Sequence, residues 1–66
     1  MKAYRIYIVD GDGRLHLGEA FEAVDDQAAG ARAETLAVSG KIGELWEGGR
    51  MVGRVSKRGV FTPGAS

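Results

Sequence analysis

A pair of adjacent glycines, Gly48 and Gly49, most constrains the fold, because strand-type residues flank it on both sides in ELWEGGRMVGRV at residues 44–55. Two-residue hairpin turns need positive backbone φ angles, which glycine adopts without steric cost. The segment therefore predicts a β-hairpin in which Glu47 faces Arg50. In this register one face carries Ile42, Trp46, Met51 and Val55, and the opposite face carries Leu45 and Val52.

Neither glycine-rich run of the chain predicts a ligand-binding loop. The glycines at 48, 49 and 53 are spaced G-G-x-x-x-G, whereas phosphate loops use G-x-G-x-x-G or G-x-x-x-x-G-K followed by a helix. The run DGDG at residues 10–13 begins like a calcium loop, but an EF-hand would need glycine at Leu15 and glutamate at Phe21. Both runs predict tight turns, and a weak surface cation site at DGDG is the less favoured alternative.

A second hairpin is predicted around DGDG, which joins AYRIYIV at residues 3–9 to RLHLGEAFEA at residues 14–23. With Gly11 and Asp12 as the central turn residues, this register collects apolar side chains on one face, whereas a slip would mix the faces. The apolar face is Tyr4, Ile6, Ile8, Leu15 and Leu17, and the opposite face is Arg5, Tyr7, Val9, Arg14 and His16.

Residues 24–40, VDDQAAGARAETLAVSG, have the composition and the caps of a helix. Asp25 suits the N-cap, where a side-chain oxygen accepts a backbone N–H, and Gly40 lies where a C-terminal glycine cap is common. At about 100° per residue, the apolar side consists of Ala29, Ala33, Leu36 and Ala37. Because this side is thin, Trp46 is predicted to be the large residue that packs against it, and the less favoured alternative is that Trp46 is a binding hot spot.

The order of the elements predicts an α+β fold, ββαββ, in which a four-stranded antiparallel sheet carries one helix on one face. Residues 1–56 would form this single domain. Residues 57–66, KRGVFTPGAS, are predicted to be a flexible C-terminal tail. The alternative for this segment is that Val60 and Phe61 dock back or extend the last strand.

The chain has 66 residues, no cysteine and one histidine, His16. These counts exclude disulfides and thiolate metal sites, and they leave a histidine-based metal cluster without enough ligands. No spacing brings a nucleophile next to a base, so no catalytic residue, cofactor or enzymatic activity is predicted. A core this small is marginal, which leaves self-association as the remaining source of stability.

Nine basic and nine acidic residues give no net charge, so nothing in the composition demands nucleic acid or an anionic membrane as a partner. The N-terminal MKAYRIYIVD has a short apolar run broken by Arg5, which is unlike a signal peptide. No stretch approaches the length of a membrane span. Together with the absence of cysteine, these features predict a soluble cytoplasmic protein.

Three motifs resemble a family of short bacterial proteins of about this length. They are the first strand and turn YRIYIVDGDGRL, the helix VDDQAAGARAETLA and the hairpin GELWEGGRMVGRV, within residues 3–55. The resemblance implies a small intracellular domain, and it brings no activity, cofactor or catalytic residue to any position of this chain. More loosely, the layout is similar to the sheet-plus-helix domains of some antitoxins and double-stranded-RNA binders.

One helix covers only one face of the predicted sheet, so the other face is predicted to bind a partner. A homodimer is the first hypothesis and a different protein partner is the second, with a predicted interface of Tyr7, Val9, His16, Leu45 and Val52. Basic and aromatic residues on an open sheet also suit RNA or DNA. This nucleic-acid alternative uses Arg5, Tyr7, Arg14, Arg54, Lys57 and Arg58.

Overall fold

The computed structural model describes residues 1–64, which form five strands and one helix. The strands are β1 (Lys2–Val9), β2 (Leu15–Ala23), β3 (Ile42–Glu47), β4 (Arg50–Val55) and β5 (Phe61–Pro63), and the helix is α1 (Asp26–Leu36). Neighbouring strands are antiparallel, in the order β2-β1-β3-β4-β5. The predicted α+β class is confirmed, whereas the predicted number of four strands is wrong.

The fifth strand lies in the segment that the sequence predicted as a flexible tail. Phe61 pairs with Val55, so residues 61–63 extend the sheet beyond β4. The turn that leads into β5 is closed by Ser56, whose hydroxyl accepts the backbone N–H of Val60 at 3.2 Å. The last two residues of the predicted tail, 65–66, lie outside the described residues.

Phe61 packs into a slot that two glycines create between α1 and β4. An ideal Cβ at Gly30 would lie 2.5 Å from Phe61 Cε2, and one at Gly53 would lie 2.7 Å from Phe61 Cε1. Real Cβ atoms do not approach so closely, so the ring needs glycine at both positions. Glycine within a helix costs about 1 kcal/mol relative to alanine, and the slot is the physical reason for this cost at Gly30.

The N-terminus of α1 follows the sequence prediction, but its C-terminus does not. The side chain of Asp25 accepts the N–H of Ala28 at 2.8 Å, which confirms the predicted N-cap. The helix ends at Leu36, so the predicted glycine cap at Gly40 is wrong. Gly40 has a φ of 83° and donates its N–H to the carbonyl of Lys57. This glycine therefore serves the turn that redirects the chain into β3.

The core lies between α1 and the face of the sheet that α1 covers. Its buried apolar residues are Tyr4, Ile6, Ala23, Leu45, Val52 and Val55 from the strands and their ends, and Ala29 and Ala33 from α1. The predicted alanine side of the helix is thus confirmed. Since a fully buried leucine or valine stabilises a fold by ~1.5–3 kcal/mol, the strands supply most of the hydrophobic stabilisation.

The β1–β2 hairpin differs in register from the prediction. Residues 11–13 form a three-residue loop, so Val9 pairs with Leu15 and Tyr7 with Leu17. Gly13, with a φ of 81°, has the left-handed conformation that such loops use at their last position. Because the loop is one residue longer than predicted, both leucines lie on the face opposite to the one predicted for them.

A β-bulge at Gly18 changes the alternation again in the second half of β2. Ile6 lies opposite both Gly18 and Glu19, and Tyr4 then pairs with Phe21 on the helix side. A Cβ at Gly18 would lie 2.6 Å from the carbonyl oxygen of Ile6, so the bulge needs glycine. The first half of β2 therefore directs its leucines away from α1, while the second half directs Phe21 towards it.

The β3–β4 hairpin keeps its predicted turn, with Trp46 opposite Met51. Val52 then forms a second β-bulge, so Leu45 pairs with Gly53 instead of Val52. As a result, Leu45 and Val52 both point into the core, and the predicted assignment of the two faces is wrong for both residues.

Candidate functional site

We call the face of the sheet opposite α1 the open face. Its members follow from the pairing, because directly paired residues of antiparallel strands lie on the same face. They are Ala3, Arg5, Tyr7 and Val9 of β1, Leu15, Leu17, Ala20 and Glu22 of β2, Ile42, Glu44 and Trp46 of β3, Met51 and Arg54 of β4, and Thr62 of β5. Strand β5 adds to the edge of β4, and Phe61 packs on the helix side, so the described C-terminal segment leaves this face uncovered.

Large apolar side chains on the open face are exposed to solvent. Leu17 is 72% exposed, Leu15 52% and Ile42 37%. Leu15, Val9 and Ile42 are direct neighbours across three strands, so the apolar surface is continuous there. Its half-buried members are Tyr7, Val9, Trp46 and Met51. Contiguous exposed apolar surface on a small domain marks an interaction site.

Trp46 lies on the open face, and its predicted packing against α1 is wrong. Its ring meets the ring of Tyr7 edge-on, with centroids 6.5 Å apart and planes at 83°. Its indole N–H donates to the carboxylate of Glu44 at 3.1 Å. Trp46 pairs with Arg5 of β1, while the adjacent Leu45 points into the core. The two aromatic rings are therefore available to a partner.

Four charged residues border the apolar side chains of the open face: the bases Arg5 and Arg54, and the acids Glu22 and Glu44. The guanidinium of Arg5 donates to the carbonyl of Gly18 at 3.1 Å, which holds it over the bulge. Glu44 lies directly opposite Arg54, an arrangement that contributes ~0.2–1 kcal/mol in a sheet. The open face therefore carries equal numbers of acids and bases.

The five predicted interface residues lie in three different places. Tyr7 and Val9 lie on the open face. Leu45 and Val52 are 0% and 6% exposed in the core beneath α1, so their predicted accessibility to a partner is wrong. The cause is the β-bulge at Val52, which turns both side chains towards the helix.

His16, which was predicted on the open face, lies on the other side of the sheet. It pairs with Ile8, and its Nε2 lies 2.6 Å from Oδ2 of Asp10. This hydrogen bond, together with backbone N–H donors from Arg14 and Asp12, holds the pKa of Asp10 below its usual range. The pair closes the β1–β2 loop.

The residues of the nucleic-acid alternative lie in three separate places. Arg5, Tyr7 and Arg54 are on the open face, Arg14 is in the β1–β2 loop, and Lys57 and Arg58 border a hollow at the C-terminal end of α1. Nucleic-acid binding needs basic residues aligned along one surface. This placement does not align them, and no observation favours the alternative.

The apolar residues of the open face were not predicted there from the sequence: Leu15, Leu17, Ile42, Trp46 and Met51. The signals that could have found them are glycines within strand-type segments. Gly18 interrupts β2 and Gly53 interrupts β4, and glycine inside a strand is typical of a bulge. Both bulges lie next to these glycines, and each one exchanges the two faces of its strand.

A second cluster of polar side chains, which we call the Asp26 clamp, joins the start of α1 to the β3–β4 hairpin. Arg50 donates to both carboxylate oxygens of Asp26, at 2.9 and 3.1 Å, and it also bonds to Glu47. The hydroxyl of the buried Tyr4 donates to Asp26 at 2.8 Å. These groups satisfy one another, so the clamp ties the start of α1 to the β3–β4 hairpin.

The Asp26 clamp shifts the ionisation of its members. The hydrogen bonds from Arg50 and then from Tyr4 hold the pKa of Asp26 below its usual range. Burial and then the hydrogen bond to Asp26 raise the pKa of Tyr4 to about 12. The fold therefore favours an ionised Asp26 beside a neutral Tyr4.

We expect Asp26 to make the protein sensitive to acid. Its pKa is lower in the folded than in the unfolded chain, so ionised Asp26 stabilises the fold above about pH 4, and this stabilisation is lost as the pH falls through the folded pKa. Asp26→Asn should flatten this part of the pH profile, which urea unfolding at a series of pH values measures. Asp12→Asn, in the exposed loop, is the control. If the free energy of unfolding falls equally with decreasing pH in Asp26→Asn and in the unaltered chain, the Asp26 clamp does not stabilise the fold.

Within residues 1–64, no group of three or more histidine and carboxylate side chains is arranged to hold a metal ion. Over the same part of the chain, no helix is long and apolar enough to cross a lipid bilayer.

No protein-family model matches the chain, and neither a curated protein nor a solved structure matches it. The resemblance to short bacterial proteins therefore stays a prediction. The open face remains the feature from which a function can be inferred.

Proposed function

We propose that this protein is a small non-enzymatic interaction module that self-associates through its open face in the cytoplasm. The exposure of Leu15 and Leu17 beside the Tyr7–Trp46 aromatic pair carries the proposal. Removing apolar surface from water gains roughly 25 cal/mol per Å². Aromatic residues of this kind are enriched at the centres of protein interfaces. The absence of cysteine fits a reducing compartment.

The size of the open face suits a reversible dimer. Five strands ~4.8 Å apart, with about six residues each at ~3.3 Å, give an area of roughly 500 Å² per copy. Two copies would bury about 1,000 Å², which is near the lower limit for a specific interface. The chain has no net charge, so two copies meet without long-range repulsion.

Leu15→Lys should prevent self-association at concentrations where the unaltered chain dimerises. A two-fold dimer contains this position twice, and each buried leucine stabilises it by ~1.5–3 kcal/mol. The dissociation constant should therefore rise at least about 100-fold. Sedimentation velocity or light scattering across a concentration series measures the change.

Val38→Lys is the matched control, because Val38 is 46% exposed against 52% for Leu15 but lies in the loop after α1. It should associate like the unaltered chain. As monomers, both variants should keep their free energy of unfolding within about 0.5 kcal/mol, since both sites are exposed. A chain that remains monomeric at millimolar concentration would contradict self-association.

A further inference from the structure

Three residues of the open face form a line, which we call the diagonal stripe: Leu17 of β2, Tyr7 of β1 and Trp46 of β3. Leu17 pairs directly with Tyr7, and Tyr7 contacts Trp46 edge-on. Arg5 pairs with Trp46, whereas Glu44 pairs with Tyr7. These pairings place Arg5 on one side of the stripe, where Glu22 also lies, and Glu44 on the other, where Arg54 also lies. We call these the Arg5 side and the Glu44 side.

We propose that two copies pack face to face with their two-fold axis along the diagonal stripe, so that Arg5 of each copy meets Glu44 of the other. This inference rests on the proposed function. In a two-fold interface the same patch serves both copies, and an axis along the stripe exchanges its two sides. Each interface then contains two contacts between Arg5 and Glu44, which gives electrostatic complementarity without any second partner.

The charges of Arg5 and Glu44 also disfavour a two-fold axis at right angles to the stripe. An axis at right angles to the stripe would place Arg5 against Arg5 and Glu44 against Glu44, and like charges brought together at an interface are strongly unfavourable. Arg5 uses one donor for the carbonyl of Gly18, and a guanidinium has five, so it retains donors for a carboxylate.

Side-chain size agrees with the same axis. On the Glu44 side of the stripe, Leu15, Val9 and Ile42 form a row of large aliphatic residues. On the Arg5 side, Ala3 and Ala20 border a hollow of about 260 Å³. Exchange of the two sides places the large residues of one copy over the small residues and the hollow of the other, as close packing at an interface requires.

Charge reversal tests the arrangement. Arg5→Glu or Glu44→Lys alone would create like-charge contacts at both symmetric positions, and each should raise the dissociation constant at least about 100-fold. The double variant Arg5→Glu/Glu44→Lys should recover at least about tenfold of the affinity that either single variant loses, because the Arg5 and Glu44 charges are then exchanged, although the new lysine still faces Arg54 within each copy. An equal mixture of the two single variants should form heterodimers in preference to homodimers. Sedimentation measures the first three results, and native mass spectrometry measures the last.

Salt and a surface control separate this arrangement from a general effect of charge. The single variants should lose less affinity for a second copy in 1 M salt than in 0.1 M salt, because the screening length falls from about 10 Å to about 3 Å. Lys41→Glu, in the loop before β3, should associate normally. Preferential heterodimers would also show that both single variants are folded.

The possible failures are distinguishable. If the unaltered chain dimerises and Leu15→Lys prevents it, but both charge-reversal variants associate normally, the axis is elsewhere and the proposed function stands. If the unaltered chain does not associate, both the function and the axis are wrong. If the single variants weaken but neither the double variant nor the mixture recovers, Arg5 and Glu44 do not contact each other.

Discussion

Phe61→Ala should remove about 3 kcal/mol from the free energy of unfolding, a large part of the ~3–10 kcal/mol expected for a domain of 66 residues. The ring lies between Gly30 of α1 and Gly53 of β4. Neither glycine has a side chain that could fill the space, so the substitution leaves a void between the helix and the sheet. Truncation of a buried phenylalanine to alanine costs about 3–5 kcal/mol, and the lower end of this range applies because Phe61 is half-buried.

Thermal unfolding of Phe61→Ala, at concentrations where the chain is monomeric, should show a decrease in Tm of about 12–24 °C. Val60→Ala is the control, because the neighbouring Val60 is 55% exposed and its truncation should change stability by less than about 0.5 kcal/mol. If Phe61→Ala and the unaltered chain have the same Tm, β5 does not stabilise the domain.

Gly53→Ala should destabilise the protein by about 2–3 kcal/mol, although replacing glycine by alanine in a strand is usually favourable. The added Cβ would lie 2.7 Å from Phe61 Cε1 and would also meet the carbonyl oxygen of Thr62. The ring is held in its slot by Gly30, and the carbonyl belongs to the β4–β5 ladder. Neither neighbour can move away without disturbing β5.

Gly43→Ala provides the matched comparison in the same sheet. Its Cβ would meet Cδ1 of Ile6 at 3.2 Å, which is the end of a flexible side chain, so the change should stay below about 1 kcal/mol. Urea unfolding of both variants measures the difference. The double variant Gly53→Ala/Phe61→Ala should lose less free energy of unfolding than the two single variants together, because removal of the ring makes room for the new Cβ. If Gly53→Ala and Gly43→Ala are equally stable, Phe61 does not need a glycine at position 53.

The fold could be predicted from the sequence at the level of elements, and less well at the level of faces. Two hairpins around an N-capped alanine-rich helix are confirmed, with Asp25 as the cap and Gly48-Gly49 as the second turn. The first hairpin was predicted with a loop one residue too short, and this single difference moved Leu15 and Leu17 to the wrong face. The membership of the face opposite α1 was therefore predicted with several wrong residues.

The placement of Trp46 shows why composition could not identify the core. Leu45 and Trp46 are adjacent, so they must point to opposite faces, and the larger apolar residue was expected inside. The helix offers a side made of Gly30 and alanines, which lies close to the sheet. In the narrow space beneath it, Leu45 is completely buried, and the indole lies outside beside Tyr7.

The sequence by itself determined the features that depend on a residue and its near neighbours: the positions of the two hairpin turns, the helix start, the absence of a disulfide framework and the alternation within short runs. The tertiary structure alone decided the bulges at Gly18 and Val52, the fifth strand and the face that stays open. The physical reason is that strand register is settled by packing between distant segments. Phe61 needs the slot between Gly30 and Gly53, and only the assembled sheet and helix bring those glycines together.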